Sequence, residues 1–242
     1  MSSGIYSAVS GAVSRLQLMD TITDNLSNSQ TTGFKKGGVA FSALLEQPQN
    51  AKDARGVDFT QLKGGYSDFS QGTLTRTNIP MQLAIEGEGF FKVQNAEGDT
   101  FFTRQGDFHR DPEGNLRTSQ QMLVLGTDGR PISLPADNVE IDEEGNAKLP
   151  DGDTKQIPIY KFAEDGSLKR VGGSLFTSPN PDAAQLVEKP TIYQGYVEDS
   201  NVSTMQEMGA MIDALRQFEA CQKVMKTYNE LDGKANEIGI LA

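Results

Sequence analysis

The chain has no tryptophan, one cysteine and one histidine among its 242 residues, and no long apolar run. Each scarcity removes a class of function. With Cys221 alone, no disulfide closes within the chain. Its helical surroundings make it a small, semi-apolar helix residue rather than a reactive thiol. Any Ser-His-Asp or Cys-His scheme must use His109. It sits between Phe108 and Arg110, just before a Pro-Glu-Gly-Asn turn, and reads as a strand-end residue. No His and Cys ligand set exists for zinc. No segment reaches the ~18 apolar residues of a membrane span. Met1-Ser2-Ser3-Gly4 lacks the basic and then apolar start of a Sec signal peptide, so the expectation is a cytoplasmic protein or one exported by another route. Hydrophobic residues make up 36 % of the chain, a lean share that supports a core for roughly 100–150 residues and leaves some apolar surface to a partner.

Positive charge is also in deficit. The formal charge is −11, distributed unevenly. Residues 1–36 carry +1, residues 201–242 carry −2, and residues 37–200 hold the remaining −10. An acidic chain without a basic stripe argues against nucleic-acid binding. The two ends are near neutral and free to approach each other, while the middle repels its copies.

The densest carboxylates, Asp142, Glu143 and Glu144, precede Gly145-Asn146. They lack the alternating ligands of an EF-hand loop and read as a solvated hairpin tip. Gly87-Glu88-Gly89 lacks a third glycine and a following helix, and its glutamate would repel phosphate; it reads as a turn between strands. No catalytic, cofactor or metal residues are assigned.

What is present is helical patterning at both termini. Ile5, Val9, Ala12, Leu16, Met19, Thr23 and Leu26 step 4-3-4-3-4-3, a heptad seam whose weak position is Thr23. Apolar residues recur at helical spacing through Met205, Met208, Ile212, Leu215, Phe218, Val224, Met225, Tyr228, Leu231, Ala235 and Ile238. The first helix begins near Gly4 or Ile5 and stops in the run Asn25 to Gly33, whose Asn, Ser and Gly compete with helical hydrogen bonds. The last starts after an N-cap at Ser200 or Asn201, with Glu207 in its early turns. Running to 238 it would span about 55 Å. Gly209 and Gly233 weaken it, so it needs a partner surface.

Between the ends the pattern is strands and Gly/Asn/Asp turns. The fold class expected is α+β. The N-terminal helix and signature turn occupy 1–36, a loop-rich extended connector 37–75 (most mobile at 47–56), an antiparallel β-rich domain 76–185, a return connector 186–200 and the C-terminal helix 201–242. The terminal helices form a coiled-coil layer, and the expected interface is Ile5, Val9, Ala12, Leu16, Met19 and Leu26 against Met208, Ile212, Leu215, Phe218, Met225 and Leu231 of the same or adjacent copies. An assembly subunit is the leading reading. A secreted β-domain binding module with a self-contained helical hairpin, or an enzyme built around His109, are the alternatives.

Four segments carry a family resemblance. Asn25-Leu26-Ser27-Asn28, continuing to Thr32-Gly33-Phe34-Lys35, resembles the Asn-Leu-Ala-Asn…Thr-x-Gly-[Phe/Tyr]-[Lys/Arg] signature of flagellar rod and hook proteins. Leu83-Ala84-Ile85-Glu86-Gly87-Glu88-Gly89-Phe90-Phe91 is similar to their Leu-Ala-Ile-x-Gly-x-Gly-Phe-Phe segment. Phe102-Thr103-Arg104-Gln105-Gly106-Asp107-Phe108 is similar to their Tyr-Thr-Arg-x-Gly-x-Phe, with Phe for the usual Tyr. Ser200-Asn201-Val202 and Met211-Ile212…Arg216-Gln217-Phe218-Glu219 resemble their C-terminal helix. Ser27 stands where Ala is usual. The opening Ile5–Ala12 and the closing Met225…Ala235-Asn236 resemble proximal rod members most, with distal rod members as the alternative.

The resemblance implies a basal-body rod subunit, exported by the flagellar type III apparatus without a Sec signal. Its partners would be copies of itself and neighbouring rod proteins. The helices would line the inner layer of a hollow tube, and the segment Asn25–Lys35 would turn the chain from inner helix to outer domain.

Overall fold

A computed structural model describes residues 2–45, 58–135, 139–149, 152–162, 168–180 and 183–240. These fall into two compact units. One comprises 1–27, 37–66 and 203–242; the other comprises 28–36 and 67–202.

The first unit holds α1 (Ser2–Ser27), β1 (Gly37–Leu45), β2 (Asp58–Ser67) and α2 (Thr204–Ile240). The helices lie antiparallel. A Cβ added at Gly4 would overlap the Tyr228 ring, one added at Gly11 would sit 3.4 Å from the Cys221 sulfur, and Asn25 bonds Glu207 at 3.0 Å. Steps of seven and fourteen along α1 are thus matched by equal steps backwards along α2, which fixes the register. On α2 the covered positions are Glu207, Met211, Ala214, Phe218, Cys221, Met225 and Tyr228, again at 4-3 spacing. Gly4, Gly11 and Ala214 allow the backbones to come close.

This seam differs from the expected one. On α1, Ile5, Ala12, Met19 and Leu26 are half-buried or buried, but Val9 and Leu16 are 43 % and 44 % exposed and Thr23 is exposed. On α2, Phe218, Met225 and Tyr228 are covered, while Met205, Met208, Ile212, Leu215, Val224 and Leu231 are exposed. Apolar periodicity counts large side chains, whereas the real inner seam is built partly of Gly, Ala, Cys and two polar groups. The side chains of Ala235 and Ile238 lie outside the described residues.

The residues expected as a connector, 37–75, hold β1 and β2, paired as a ribbon, and the start of β3 (Leu74–Arg76). Residues 47–56 lie outside the described residues. The stretch 186–200 likewise holds strands, β17 (Thr191–Gln194) and β18 (Tyr196–Glu198), on either side of Gly195. Their β-branched and aromatic residues pair antiparallel with β4 (Leu83–Glu86) and with β3, Ile192 opposite Ile85 and Val197 opposite Thr75. α2 begins three residues beyond Asn201, with the Ser203 carbonyl accepting the first helical bond from Glu207 at 3.0 Å. Asn201 is engaged elsewhere, as described below.

Among the described residues the strands of the second unit pair antiparallel, and its largest sheet has nine of them. β5 (Phe90–Gln94) and β6 (Thr100–Thr103) lie inside it, flanked by β9 (Leu123–Val124), β13 (Ile159–Phe162) and β15 (Leu175–Thr177). Successive strand residues point to opposite faces, so Phe91 joins a cluster with Leu83, Val93, Leu116, Ile157 and Ile192. Phe90 joins another with Phe102, Phe162 and Phe176. Within the second, Phe102 and Phe162 meet edge to face at 4.8 Å. Both faces are therefore buried. Each such phenylalanine contributes about 1.5–3 kcal/mol.

The hairpin of β7 (Phe108–Arg110) and β8 (Leu116–Thr118) is closed by Asp111. Its carboxylate accepts from the Asn115 amide and from Arg117 Nε, both at 2.7 Å. Arg117 holds the carboxyl down from its ordinary 3.8 to about 2. The folded value is depressed, so this support is complete above pH 3.8 and is lost as pH falls through about 2. In Asp111→Asn, melting temperature should fall less between pH 4 and pH 2 than in the parent; equal acid slopes would contradict it.

Candidate functional site

The four sequence segments singled out above are far apart in the chain. Three of them meet in the second unit around one buried carboxylate. α1 ends at Ser27, and the turn that follows is held by Thr31 N–H on the Asn28 carbonyl (3.1 Å) and Phe34 N–H on the Thr31 carbonyl (3.2 Å). Thr32 is half-buried between them. Gly33 has φ +66°, and a Cβ there would overlap the backbone of Arg104 and Gln105. Glycine is thus required twice, for the left-handed conformation and for the close approach. Its N–H donates to the Glu198 carbonyl at 2.7 Å.

This turn delivers Lys35 into the interior with no exposed surface. Its ammonium donates to Glu198 Oε1 at 2.5 Å and to the Ser70 carbonyl at 2.7 Å. Arg104 approaches the other oxygen, Nη1 to Oε2 at 3.2 Å, and also donates to the Gly87 carbonyl. Gly72 N–H adds a third donor to Glu198 at 2.9 Å. Two cations and a backbone amide thus share one carboxylate. Burial lowers the Lys35 pKa from its ordinary value, against the opposing pull of Glu198.

Neighbouring signature residues brace the cluster. The Arg170 guanidinium lies 4.5 Å from the Phe34 ring centre and donates to the Lys35 carbonyl. Arg104 lies 5.5 Å from the Phe90 ring. Gly87 and Gly89 form the turn between β4 and β5, and the Gly106 carbonyl accepts from Leu83 N–H at 2.9 Å. Asn201 accepts from Lys36 N–H at 2.7 Å and donates to the carbonyls of Asp68 and Ser70 at 2.9 and 3.1 Å.

In the first unit, Asn25 does comparable work at 1 % exposure. Its amide accepts from Gly37 N–H at 2.8 Å and donates to the Gly37 carbonyl at 2.9 Å and to Glu207 at 3.0 Å. One side chain thus ties the end of α1, the start of β1 and the first turn of α2. Leu26 beside it is half-buried.

Sequence reasoning missed Glu198, Ser70, Gly72 and Arg170, and assigned Asn201 a cap. No local spacing marks Glu198, whose partners lie 163 and 94 residues away. His109 pairs with Arg117 across the β7–β8 hairpin, with its ring 3.3 Å from the Gln121 amide. Among the described residues no group of three His, Cys, Asp or Glu is placed to hold a metal, and no helix is long and apolar enough to cross a membrane. Within the second unit the arrangement ties the turn after α1 to the segments around residues 70, 104 and 198.

Known families match the regions that hold those four segments. Residues 5–35 match the flagella basal body rod protein family, 84–149 the flagellar hook protein FlgE/F/G D1 domain, and 193–238 the flagellar basal body rod FlgEFG protein C-terminal family. The chain is 30 % identical to the flagellar basal-body rod protein FlgG of Borreliella burgdorferi, over 98 % of this chain and 99 % of that protein. It is 30 % identical to FlgG of Bacillus subtilis, over 94 % and 95 %. It is also 30 % identical to the rod protein FlgF of Caulobacter vibrioides, over 98 % of both. With the signature turn, the β segment and the C-terminal helix all matched and nearly the whole length covered, the chain belongs to the flagellar basal-body rod protein family.

Proposed function

We propose that this structural rod subunit takes a place in the proximal rod and polymerises through its terminal helices, which form a coiled-coil inner layer of a hollow shaft. The observation that carries the reading is a pair of helices that satisfy each other on one face and remain apolar on another. Tyr6, Val9, Val13 and Leu16 on α1, and Met205, Met208, Ile212 and Leu215 on α2, stay 43–83 % exposed. Covering residues of this kind contributes about 1.5–3 kcal/mol each, and contiguous exposed apolar patches mark interaction surfaces. The proximal position rests on the resemblance at both termini; relatives named FlgG and FlgF support a rod place without separating proximal from distal.

On this reading the chain is not an enzyme and binds no nucleic acid. Its partners are copies of itself and neighbouring rod proteins, and it reaches the rod through the type III export apparatus rather than by a Sec signal. The intrachain fit of α1 on α2 favours a second reading, a self-contained hairpin on a binding module. Leu16→Asp separates the two: it should leave a soluble, folded chain that is absent from isolated basal bodies, with swimming lost. Normal incorporation and motility would remove the polymerisation reading.

A further inference from the structure

The two exposed stripes have the same length and spacing. Tyr6, Val9, Val13 and Leu16 step 3-4-3, and Met205, Met208, Ile212 and Leu215 step 3-4-3. Beyond them each stripe turns polar, continuing through Asp20 and Thr23 on α1 and through Glu219, Gln222 and Lys226 on α2. Each of these two stripes is therefore apolar only toward the N-terminal end of its helix, and the exposed Val224 and Leu231 of α2 lie off its line. Because the helices run antiparallel, the two stripes lie at opposite ends of the hairpin and do not meet within one chain. The Gly11–Cys221 register puts Val9 level with Lys223, whereas Ile212 lies eleven residues away, about 16 Å at ~1.5 Å per residue.

Charge follows the same division. Where the helices lie side by side, the half bearing the α1 stripe carries Arg15, Arg216, Lys223 and Lys226 against Glu219. The half bearing the α2 stripe carries Asp20, Asp24 and Asp213, with Glu207 buried. Like halves repel and unlike halves attract. Beyond Tyr228 the helix is acidic again, with Glu230, Asp232 and Glu237 against Lys234.

We infer that the occupant of each stripe is the other stripe on a second copy of this chain, in the same orientation and displaced by about 16 Å along the hairpin. This rests on the assembly reading above and gives it a register. Tyr6 meets Leu215, Val9 meets Ile212, Val13 meets Met208 and Leu16 meets Met205, the antiparallel sense matching the spacing at every step. Eleven residues are close to three helical turns, so the displaced face is still the facing one. In this arrangement Asp20 and Asp213 of one copy stand level with Lys223 of the next. The contact is heterologous: each copy offers one stripe forward and one back, so the series extends without a built-in end.

The test uses the full chain, in place of the wild type in its native host, as V9C/I212C on a C221S background. Basal bodies are isolated and oxidised. A disulfide needs Cα atoms within about 7 Å, so these cysteines cannot close within one chain. The expected result is a covalent ladder from dimers upward, with neither V9C nor I212C alone giving more than trace dimer. Basal bodies that contain the variant but give no ladder, or that give V9C–V9C dimers, overturn this register and leave the rod reading standing. Absence of the wild-type chain itself from basal bodies overturns both.

Charge exchange decides independently of cysteine placement. D20K/D213K and K223E/K226E should each incorporate at least tenfold less than the parent, and co-expression should restore both. Full incorporation of either alone, or failure of co-expression to restore two folded chains, overturns the register.

Discussion

Glu198→Ala should destabilise the full chain by about 3–5 kcal/mol, the cost of stranding a buried charge. The geometry makes the loss asymmetric. Glu198 is the shared acceptor of Lys35 Nζ, Arg104 Nη1 and Gly72 N–H. Its removal leaves two cations, 1 % and 3 % exposed, beside each other without their common anion. Lys35→Met is far milder, about 1–2 kcal/mol. Arg104 and Gly72 still satisfy Glu198, and the Ser70 carbonyl keeps the Asn201 amide.

Alkali adds a sign. Burial sets the Lys35 pKa below its ordinary 10.5 in the folded chain. Between that lowered value and 10.5 the unfolded chain binds more protons, so stability rises with pH through this window. The Glu198→Ala deficit should therefore shrink near pH 10. Denaturant unfolding of both variants at neutral and alkaline pH checks this. Equal losses for Glu198→Ala and Lys35→Met would contradict the shared-anion geometry.

The second large effect is expected at Asn25. Asn25→Ala removes partners from both backbone groups of Gly37 and one donor from the buried Glu207 carboxylate. Glu207 keeps a further interaction, so the two Gly37 groups set the cost, and at about 1–3 kcal/mol each a loss of about 2–6 kcal/mol follows. Asn25→Asp keeps the shape and changes the electrostatics: a carboxylate then faces both the Gly37 carbonyl and Glu207. It should be worse than alanine at neutral pH. It should improve as pH falls, because a proton shared by such a pair relieves the like-charge repulsion. Thermal melting across pH 4–8 reads the crossover, and a pH-independent deficit for Asn25→Asp would remove the Glu207 contact from the account. Both variants should abolish swimming.

How far the sequence disclosed this protein depended on the kind of signal. The terminal helices were legible because their apolar periodicity spans many turns, and the β-hairpin tips because Gly, Asn and Asp mark them locally. The inner helix seam was misplaced. α1 and α2 are apolar on two faces, and the face that closes within the chain uses Gly4, Gly11, Ala214 and Cys221, whose value is closeness rather than hydrophobicity. β17 and β18 were missed because their pairing with β4 and β3 gives short strands no periodicity of their own. At the site, Gly33, Lys35 and Arg104 were singled out by resemblance. Glu198, the residue that joins them, was invisible because nothing near it in sequence signals a contact with residue 35.

That separation also bears on folding kinetics. The cluster closes only when residues 35, 104 and 198 are all present, and the Asn25–Glu207 bond spans 182 positions. A chain emerging from its amino end carries an unfinished sheet and an unmatched α1 until more than four-fifths of it has appeared. Contacts of such range make closure slow compared with local hairpins. The local hairpins can therefore close first, and the contacts that Glu198 and Glu207 make are the last to form.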